Sequence, residues 1–139
     1  MESEGPMKRT YQGSCHCGAV RYAADVDLAA GTAKCNCSIC FKTRAWMAFV
    51  SADDFRLLAG ESSLHDYQFS GKSIHHVFCT RCGVRSFAHV TDPKGNRSYA
   101  VRVNCLDDVE PRDLAETPVT FMDMLHDDFK AAPAETRHL

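Results

Sequence analysis

Short runs rich in apolar and β-branched residues, separated by turn-forming residues, make up most of the chain. Between residues 20 and 26 the apolar residues stand at every second position, as Val, Tyr, Ala and Val, which predicts a strand with one buried face. The run 46–50 is almost wholly apolar and favours a strand buried on both faces. Further β-rich runs follow at 75–79, 84–90 and 99–105, and the turn-forming residues 91–96 join the last two as a hairpin.

Helical signals are few and short. Ser38 is placed to cap a helical turn over 39–43, because a serine side chain at the N-cap accepts a hydrogen bond from the first turn. A second short helix near 107–114 is interrupted by Pro111, which lacks the backbone N–H that a helix interior needs. The sequence therefore predicts an all-β fold with minor helical turns.

Length, charge and hydropathy narrow the class of protein. A chain of 139 residues suits one domain, which we expect at 11–125, with an N-terminal tail at 1–10 and a C-terminal tail at 126–139. The net charge is -2 and the basic residues are scattered, so there is no basic stripe for nucleic acid. No apolar run reaches the roughly 18 to 20 residues of a membrane span, and the N-terminal segment lacks the hydrophobic stretch of an export signal. We therefore expect a cytoplasmic protein that binds neither nucleic acid nor membrane, while the oligomeric state stays open.

Eight cysteines are the unusual feature of the composition. Seven of them fall into three local clusters, in the segments GSCHCGAVRY (Cys15, Cys17), KCNCSICFK (Cys35, Cys37, Cys40) and FCTRCGVRSF (Cys79, Cys82). In a reducing compartment clustered cysteines more often bind metal than form disulfides, and cysteines one residue apart form a disulfide badly. A redox role for the C-x-x-C of the third cluster lacks the βαβ context of such motifs, and simple burial does not need these spacings.

The first and third clusters share one pattern. Each pair of cysteines is followed at once by glycine, Gly18 or Gly83, and then by a β-like stretch. In a metal-binding knuckle the chain reverses around the ion, and the residue after the second cysteine often needs a positive φ, which glycine adopts without strain. Two such knuckles supply four thiolates, the ligand set of a closed structural zinc site. We therefore group Cys15, Cys17, Cys79 and Cys82.

The middle cluster offers three thiolates within one short segment, and no glycine follows it. Three protein ligands leave one coordination position open, and an open position distinguishes a catalytic zinc from a structural one. Cys35, Cys37 and Cys40 are therefore the candidate catalytic set, and we expect two zinc ions per chain. The alternative is a second closed site, completed by Cys105 or a histidine. Cys105 stands apart from the clusters and is otherwise expected in the core.

Several polar residues near the clusters are candidates for substrate binding. His75 and His76 point to opposite faces if their run is a strand, so at most one of them faces a site. Ser38 could hydrogen-bond a thiolate or a substrate besides capping its helix. Arginines next to the clusters in sequence could clamp an anion or simply face solvent; they are Arg44, Arg81 and Arg85. The candidate substrate residues are Ser38, Arg44, His76 and Arg81.

The cysteine segments, with HHVFCTRCGVRSF extending the third one and VNCLDD downstream, resemble the glutathione-dependent formaldehyde-activating enzyme family, which also includes the centromere protein V domain. The resemblance runs from about residue 11 to residue 108. It implies a zinc-binding β-tent fold of stacked antiparallel sheets. It also implies that the first and third clusters bind a structural zinc and the middle cluster a catalytic one, in agreement with the grouping by glycine placement.

The family's named activity is the reversible joining of formaldehyde and glutathione into S-hydroxymethylglutathione, a carbon–sulfur lyase reaction. The resemblance thus implies a zinc-dependent lyase acting on a glutathione-like thiol and a small aldehyde such as formaldehyde. Two alternatives stay open: a zinc enzyme acting on another small substrate, and a non-catalytic binding module in which zinc is only structural. A module that binds chromatin or nucleic acid should carry a basic patch, and the net charge of -2 disfavours that alternative.

Overall fold

The computed structural model describes residues 8–69, 71, 73–128 and 130–139. These residues form ten strands and two short α-helices, joined by loops and 3-10 turns. The strands are β1 (Arg9–Ser14), β2 (Arg21–Val26), β3 (Thr32–Cys35), β4 (Trp46–Ser51), β5 (Phe55–Ala59), β6 (Leu64–Tyr67), β7 (Ile74–Cys79), β8 (Phe87–Thr91), β9 (Arg97–Arg102) and β10 (Val119–Met122). The helices are α1 (Ser38–Thr43) and α2 (Pro111–Glu116). The all-β class with minor helical turns is confirmed. Within the predicted tail at 1–10, residues 1–7 lie outside the described residues and β1 begins at Arg9.

The strands make two sheets. The smaller sheet has the order β1-β2-β5, and the larger has the order β10-β3-β4-β9-β8-β7-β6. All strand pairings within the described residues are antiparallel, except that β10 runs parallel to β3, with Met122 opposite Cys35. The antiparallel arrangement implied by the family resemblance is therefore modified at one edge, because the chain returns from α2 alongside β3 in the same direction.

The main core fills the space between the two sheets. Tyr22 of β2 is fully buried; its ring stacks on Phe55, with 5.2 Å between centroids, and meets Phe87 edge-on at 5.7 Å. Phe87 and Val101 lie opposite each other in the ladder between β8 and β9 and point to the same face of the larger sheet. Burial of large aromatic rings supplies much of the hydrophobic stabilisation of a small domain. One face of the larger sheet therefore belongs to this core, and the opposite face is left for other contacts.

The strands agree with the predicted runs, with differences in their faces and ends. Phe49 of β4 is 58% exposed, whereas Met47 on the same face is buried, so the expected burial on both faces holds at Met47 and fails at Phe49. Residues 84–86 stay outside β8, because they form the exit of the second cysteine knuckle. Residues 103–105 leave β9 and form a 3-10 turn.

Both helices begin differently from the prediction. Cys37 is the N-cap of α1, without a side-chain cap hydrogen bond, so the expectation that Ser38 caps this helix is wrong: Ser38 already lies in its first turn. Pro111 opens α2 instead of interrupting a helix, because the first helical residue has no partner for its N–H and the fixed φ of proline suits that position. No helix in the described part of the chain is long and apolar enough to cross a bilayer.

The end of the chain lies against α1. Leu139 is buried, and its main-chain oxygen accepts hydrogen bonds from Lys34 Nζ at 3.3 Å and from the Arg44 guanidinium at 3.4 Å. His138 packs edge-on against Phe41, with 5.4 Å between ring centroids. The C-terminal segment thus forms a wall beside the helix that carries the middle cysteine cluster.

Candidate metal centres

The first and third cysteine clusters meet in space. The Sγ atoms of their four cysteines all lie within 4.8 Å of one another, and Cys17 Sγ lies 3.7 Å from the sulfurs of both Cys15 and Cys79. This spacing is too long for a disulfide. It matches the edge, about 3.8 Å, of a tetrahedron whose corners lie about 2.3 Å from a central zinc. The four-cysteine centre, formed by Cys15, Cys17, Cys79 and Cys82, thus has the donor set and the size of a closed zinc site.

Two backbone knuckles of the same design carry these cysteines. In each knuckle the glycine N–H donates to the carbonyl of the first cysteine, at 3.2 Å from Gly18 to Cys15 and at 2.7 Å from Gly83 to Cys79. The φ angles of Gly18 and Gly83 are 82° and 79°, which confirms the predicted positive φ. The space that a Cβ would enter at either glycine is open. Glycine is therefore required by the backbone torsion.

Backbone N–H groups point at the sulfurs of the four-cysteine centre. Arg81 N–H donates to Cys79 Sγ at 3.3 Å. The N–H groups of Val84 and Cys17 lower the pKa of Cys82 to about 6. Donors aimed at a sulfur stabilise its thiolate form, which is the form that binds metal. The knuckles thus favour the ionised ligands that a zinc site needs.

The 3-10 segment after β5 contacts both knuckles. Gly60 lies against the first one so closely that a Cβ there would be 2.2 Å from the carbonyl oxygen of Ala19. The carbonyl of Ser63 accepts hydrogen bonds from the N–H of Thr80, at 2.8 Å, and from its hydroxyl, at 3.0 Å, in the second knuckle. Residues 60–63 therefore hold the two halves of the four-cysteine centre in place.

The middle cluster forms a second, separate set. Cys35 is the last residue of β3, Cys37 is the N-cap of α1, and Cys40 lies in the first turn of that helix. Their sulfurs lie within 4.8 Å of one another. Among the described residues no fourth cysteine, histidine or carboxylate joins this three-cysteine set; Cys105 instead lies with its sulfur 3.8 Å from the carbonyl of Arg85. The donor set fits a zinc that keeps one position free for an external ligand.

The start of α1 favours a thiolate at Cys37. The thiols of Cys35 and Cys40 lower the pKa of Cys37 by donating to its sulfur, and the N–H groups of Cys40 and Ile39 add to this effect. The N–H of Cys37 in turn donates to Cys35 Sγ at 3.4 Å. Unpaired N–H groups at a helix N-terminus stabilise negative charge. The fold thus prepares an ionised ligand where β3 passes into α1.

A cleft of about 370 Å³ lies against the segment that carries the middle cluster, although none of the three cysteines lines it. Its lining includes Asn36, which lies between two of the cysteines, together with Ser38, Asp123 and His126. Asn36 Nδ2 donates to Asp123 Oδ1 at 2.8 Å, and His126 Nδ1 lies 2.9 Å from the same carboxylate. Sequence reasoning missed this network because 87 positions separate Asn36 from Asp123. These hydrogen bonds connect the segment after β10 to the loop between Cys35 and Cys37.

Three of the predicted substrate residues lie in different places. Ser38 is exposed and lines the cleft against the segment that carries the middle cluster. Arg44 is exposed at the end of α1, where its guanidinium donates to the Leu139 main-chain oxygen. Arg81 is exposed in the second knuckle and thus belongs to the four-cysteine centre. The structure therefore brings Ser38 to the middle cluster and places Arg81 at the other centre.

The two adjacent histidines point to opposite faces of the larger sheet, as the predicted alternation requires. His75 stacks on His89, with 4.5 Å between ring centroids. His76 is 8% exposed and lies on the other face. Burial lowers the pKa of His76, and the charges of Arg102 and Arg85 lower it further. His76 is thus the histidine placed among charged groups near the three-cysteine set.

Comparison with known proteins agrees with this geometry. Residues 10–123 match the family model described as glutathione-dependent formaldehyde-activating enzyme. The chain belongs to this family. A crystal structure of a Rhodobacter sphaeroides protein, solved as a structural genomics target, is 35% identical over 78% of this chain and 99% of that chain, with a TM-score of 0.65. The region that matches the family model includes all seven cysteines of the two centres.

Proposed function

We propose that the protein is a zinc-dependent carbon–sulfur lyase that joins a glutathione-like thiol to formaldehyde or a similar small aldehyde, and also reverses this reaction. The family description supports both reactants. The observation that carries the proposal is a set of three convergent thiols without a fourth ligand among the described residues. We also propose that residues 11–125 form the domain that carries the activity, and that the protein acts in the cytoplasm.

We assign a structural zinc to the four-cysteine centre and a catalytic zinc to Cys35, Cys37 and Cys40. Zinc held by these three cysteines would supply an open position at which a thiol ionises and remains nucleophilic. Three thiolate ligands leave the centre with net negative charge, so it should lower the pKa of a bound water less than zinc on three histidines does. The donor set therefore favours thiol chemistry over hydrolysis.

The chain's own residues would shape the reaction around this position. We place the remainder of the thiol substrate in the cleft lined by Asn36 and Ser38, which are the sequence neighbours of Cys37. Met47 and Met122 belong to the hydrophobic cluster that contains Cys35 and cover part of the set with apolar side chains. In the addition step a sulfur lone pair bonds to the carbonyl carbon, the C=O π pair moves to oxygen, and that oxygen takes up the proton lost by the thiol. The reverse sequence releases the aldehyde and the thiol.

The activity is measured by NMR exchange between ¹³C-formaldehyde and its glutathione adduct, which separates the catalysed rate from the spontaneous one. We expect the zinc-loaded protein to accelerate exchange. Cys40→Ala should abolish the acceleration because it removes one of the three ligands. Cys105→Ser is the matched control, since it alters a cysteine that belongs to neither centre, and it should retain the rate.

Cobalt in place of zinc adds a direct test of thiol binding. A small thiol that binds at the three-cysteine set should strengthen the sulfur-to-cobalt charge-transfer band, and Cys40→Ala should abolish this change. The proposal is refuted if Cys40→Ala keeps the exchange rate. It is equally refuted if millimolar glutathione and 2-mercaptoethanol leave the spectrum unchanged while both centres hold cobalt.

A further inference from the structure

Two arginines with buried nitrogens lie close to each other at the larger sheet: Arg102 interacts with the charge of Cys40, and its backbone N–H donates to the carbonyl of Ser86, next to Arg85. Arg102, the last residue of β9, is 7% exposed, and its Nε has no hydrogen-bond partner within the described residues. Arg85, just before β8, has a buried Nη1 that likewise lacks one, and its guanidinium lies 5.1 Å from the centre of the Phe78 ring. The ion pairs between described residues include neither arginine. Because an uncompensated buried cation is costly, this arrangement points to an anion nearby.

The sheet register places Arg102 on the face that carries the three-cysteine set. Arg102 lies opposite Met47 of β4, and Met47 lies opposite Ala33 of β3, two residues before Cys35. Directly opposed residues point to the same face of an antiparallel ladder, and so do residues two apart on one strand. Met47 also belongs to the hydrophobic cluster that contains Cys35. The guanidinium of Arg102 and the ligand sulfurs therefore belong to one side of the larger sheet.

The pKa of Arg102 responds to charged groups on this side of the sheet. Burial lowers the pKa of Arg102, and the charge of Cys40 is the largest influence in the opposite direction. Arg85 lowers the pKa of Arg102 further, as a nearby like charge does. Arginine nevertheless stays protonated in proteins. Arg102 is therefore a permanent positive charge beside the three-cysteine set, and Arg85 adds a second positive charge next to Arg102.

We propose that Arg102 and Arg85 make the three-cysteine centre select an anionic fourth ligand over a neutral one. This inference rests on the metal centre proposed above. Three thiolates around a divalent cation leave a net negative charge, which by itself disfavours another anion. The positive charges of the two guanidinium groups offset this repulsion, so that an anionic ligand is favoured over a neutral one. A thiolate is such an anion, so the arginine pair accounts for the uptake of a thiol in its ionised form.

The experiment compares an anionic and a neutral probe on the cobalt-loaded full-length protein at constant ionic strength. Thiocyanate and imidazole are titrated separately, and the cobalt d–d spectrum reports their binding, because the four-cysteine centre has no open position for either. Arg102→Met should weaken thiocyanate binding about 10- to 100-fold, as expected for one unit charge lost from a site of effective dielectric constant about 20. Imidazole binding should change by less than about 2-fold.

Arg97→Met is the matched control. It removes an exposed arginine from the other end of the same strand, and both affinities should stay as in the unaltered protein. Arg85→Met supplies a second variant if Arg102→Met fails to fold or to bind two cobalt ions; it should show the same loss restricted to the anion. Equal changes for both probes, or no change for thiocyanate, would overturn the inference while leaving the lyase proposal standing. If cobalt does not occupy the three-cysteine set at all, the proposed function fails together with the inference.

Discussion

Substitution of Gly60 by alanine tests whether the 3-10 segment after β5 maintains the four-cysteine centre from outside. Gly60 has a φ of 93°, and an added Cβ would lie 2.2 Å from the Ala19 carbonyl oxygen and 2.7 Å from Val20 Cα. Both contacts are to backbone atoms, so rotation of a side chain cannot relieve them. The first knuckle would have to shift by roughly 1 Å to restore ordinary contact distances.

Two contributions determine the size of the effect. A left-handed torsion costs alanine about 1–2 kcal/mol, and forced displacement of well-packed atoms costs about 1–3 kcal/mol more. We therefore expect Gly60→Ala to lower the free energy of unfolding by about 2–5 kcal/mol. That is a large part of the stability of a small domain. The displaced knuckle should also hold its metal less well, so zinc content after gel filtration should fall towards one equivalent.

Gly95 provides the matched control. It lies in the hairpin turn between β8 and β9 with a φ of 89°, and a Cβ there would meet no atom within 4 Å. Gly95→Ala therefore bears the torsional cost alone. Urea unfolding with excess zinc, followed by the fluorescence of the single tryptophan, Trp46, gives the difference between the variants. If the two variants agree within about 0.5 kcal/mol, the close approach at Gly60 does not matter and the reasoning is wrong.

Three further predictions concern the metal and pH. Metal-replete protein should contain two zinc equivalents by elemental analysis, and one or fewer would contradict the two-centre scheme. Cys82→Ala should lower the unfolding midpoint or abolish soluble expression, whereas Cys40→Ala should retain the fold and lose activity; equal instability would make both centres structural. Burial lowers the pKa of His89 to about 4, and the charges of Arg97 and His75 add to this effect. The unfolded chain therefore binds this proton more readily than the folded protein does. Stability should then fall as the pH drops from about 6.5 to about 4. His89→Gln should lose less stability over that interval in urea titrations, and an equal loss would argue against a neutral His89.

Sequence reasoning succeeded where the chemistry is local. The spacing of the seven clustered cysteines and the glycines after two of the clusters predicted which residues meet, because a knuckle is built from adjacent residues and one required torsion. The alternation along β7 likewise predicted that His75 and His76 point to opposite faces of the sheet. These features depend on a few neighbouring positions and little on the rest of the chain.

The pairing of strands that are distant along the chain could not be predicted from the sequence. The strand β10 lies parallel to β3 at the edge of the sheet, and the four residues of β10 contain no pattern that indicates this pairing. Arg102 is a charged residue in the apolar run YAVRV, but the register that points it to the cysteine face is set by β4. Ser38 was expected as a helix cap on residue type alone, and the backbone instead begins the helix one residue earlier.

The spacing of the ligands along the chain has a consequence for the order in which metal is captured. The three-cysteine set lies within one short segment, so an unfolded chain can gather it at little entropic cost. The four-cysteine centre joins residues 62 positions apart, and closing a loop of that length costs on the order of 4 kcal/mol. We therefore expect the nascent chain to load the local set first and to complete the closed centre only when both sheets have assembled. We expect zinc in the closed centre to stabilise the assembled fold, and the local set to exchange its ion without unfolding.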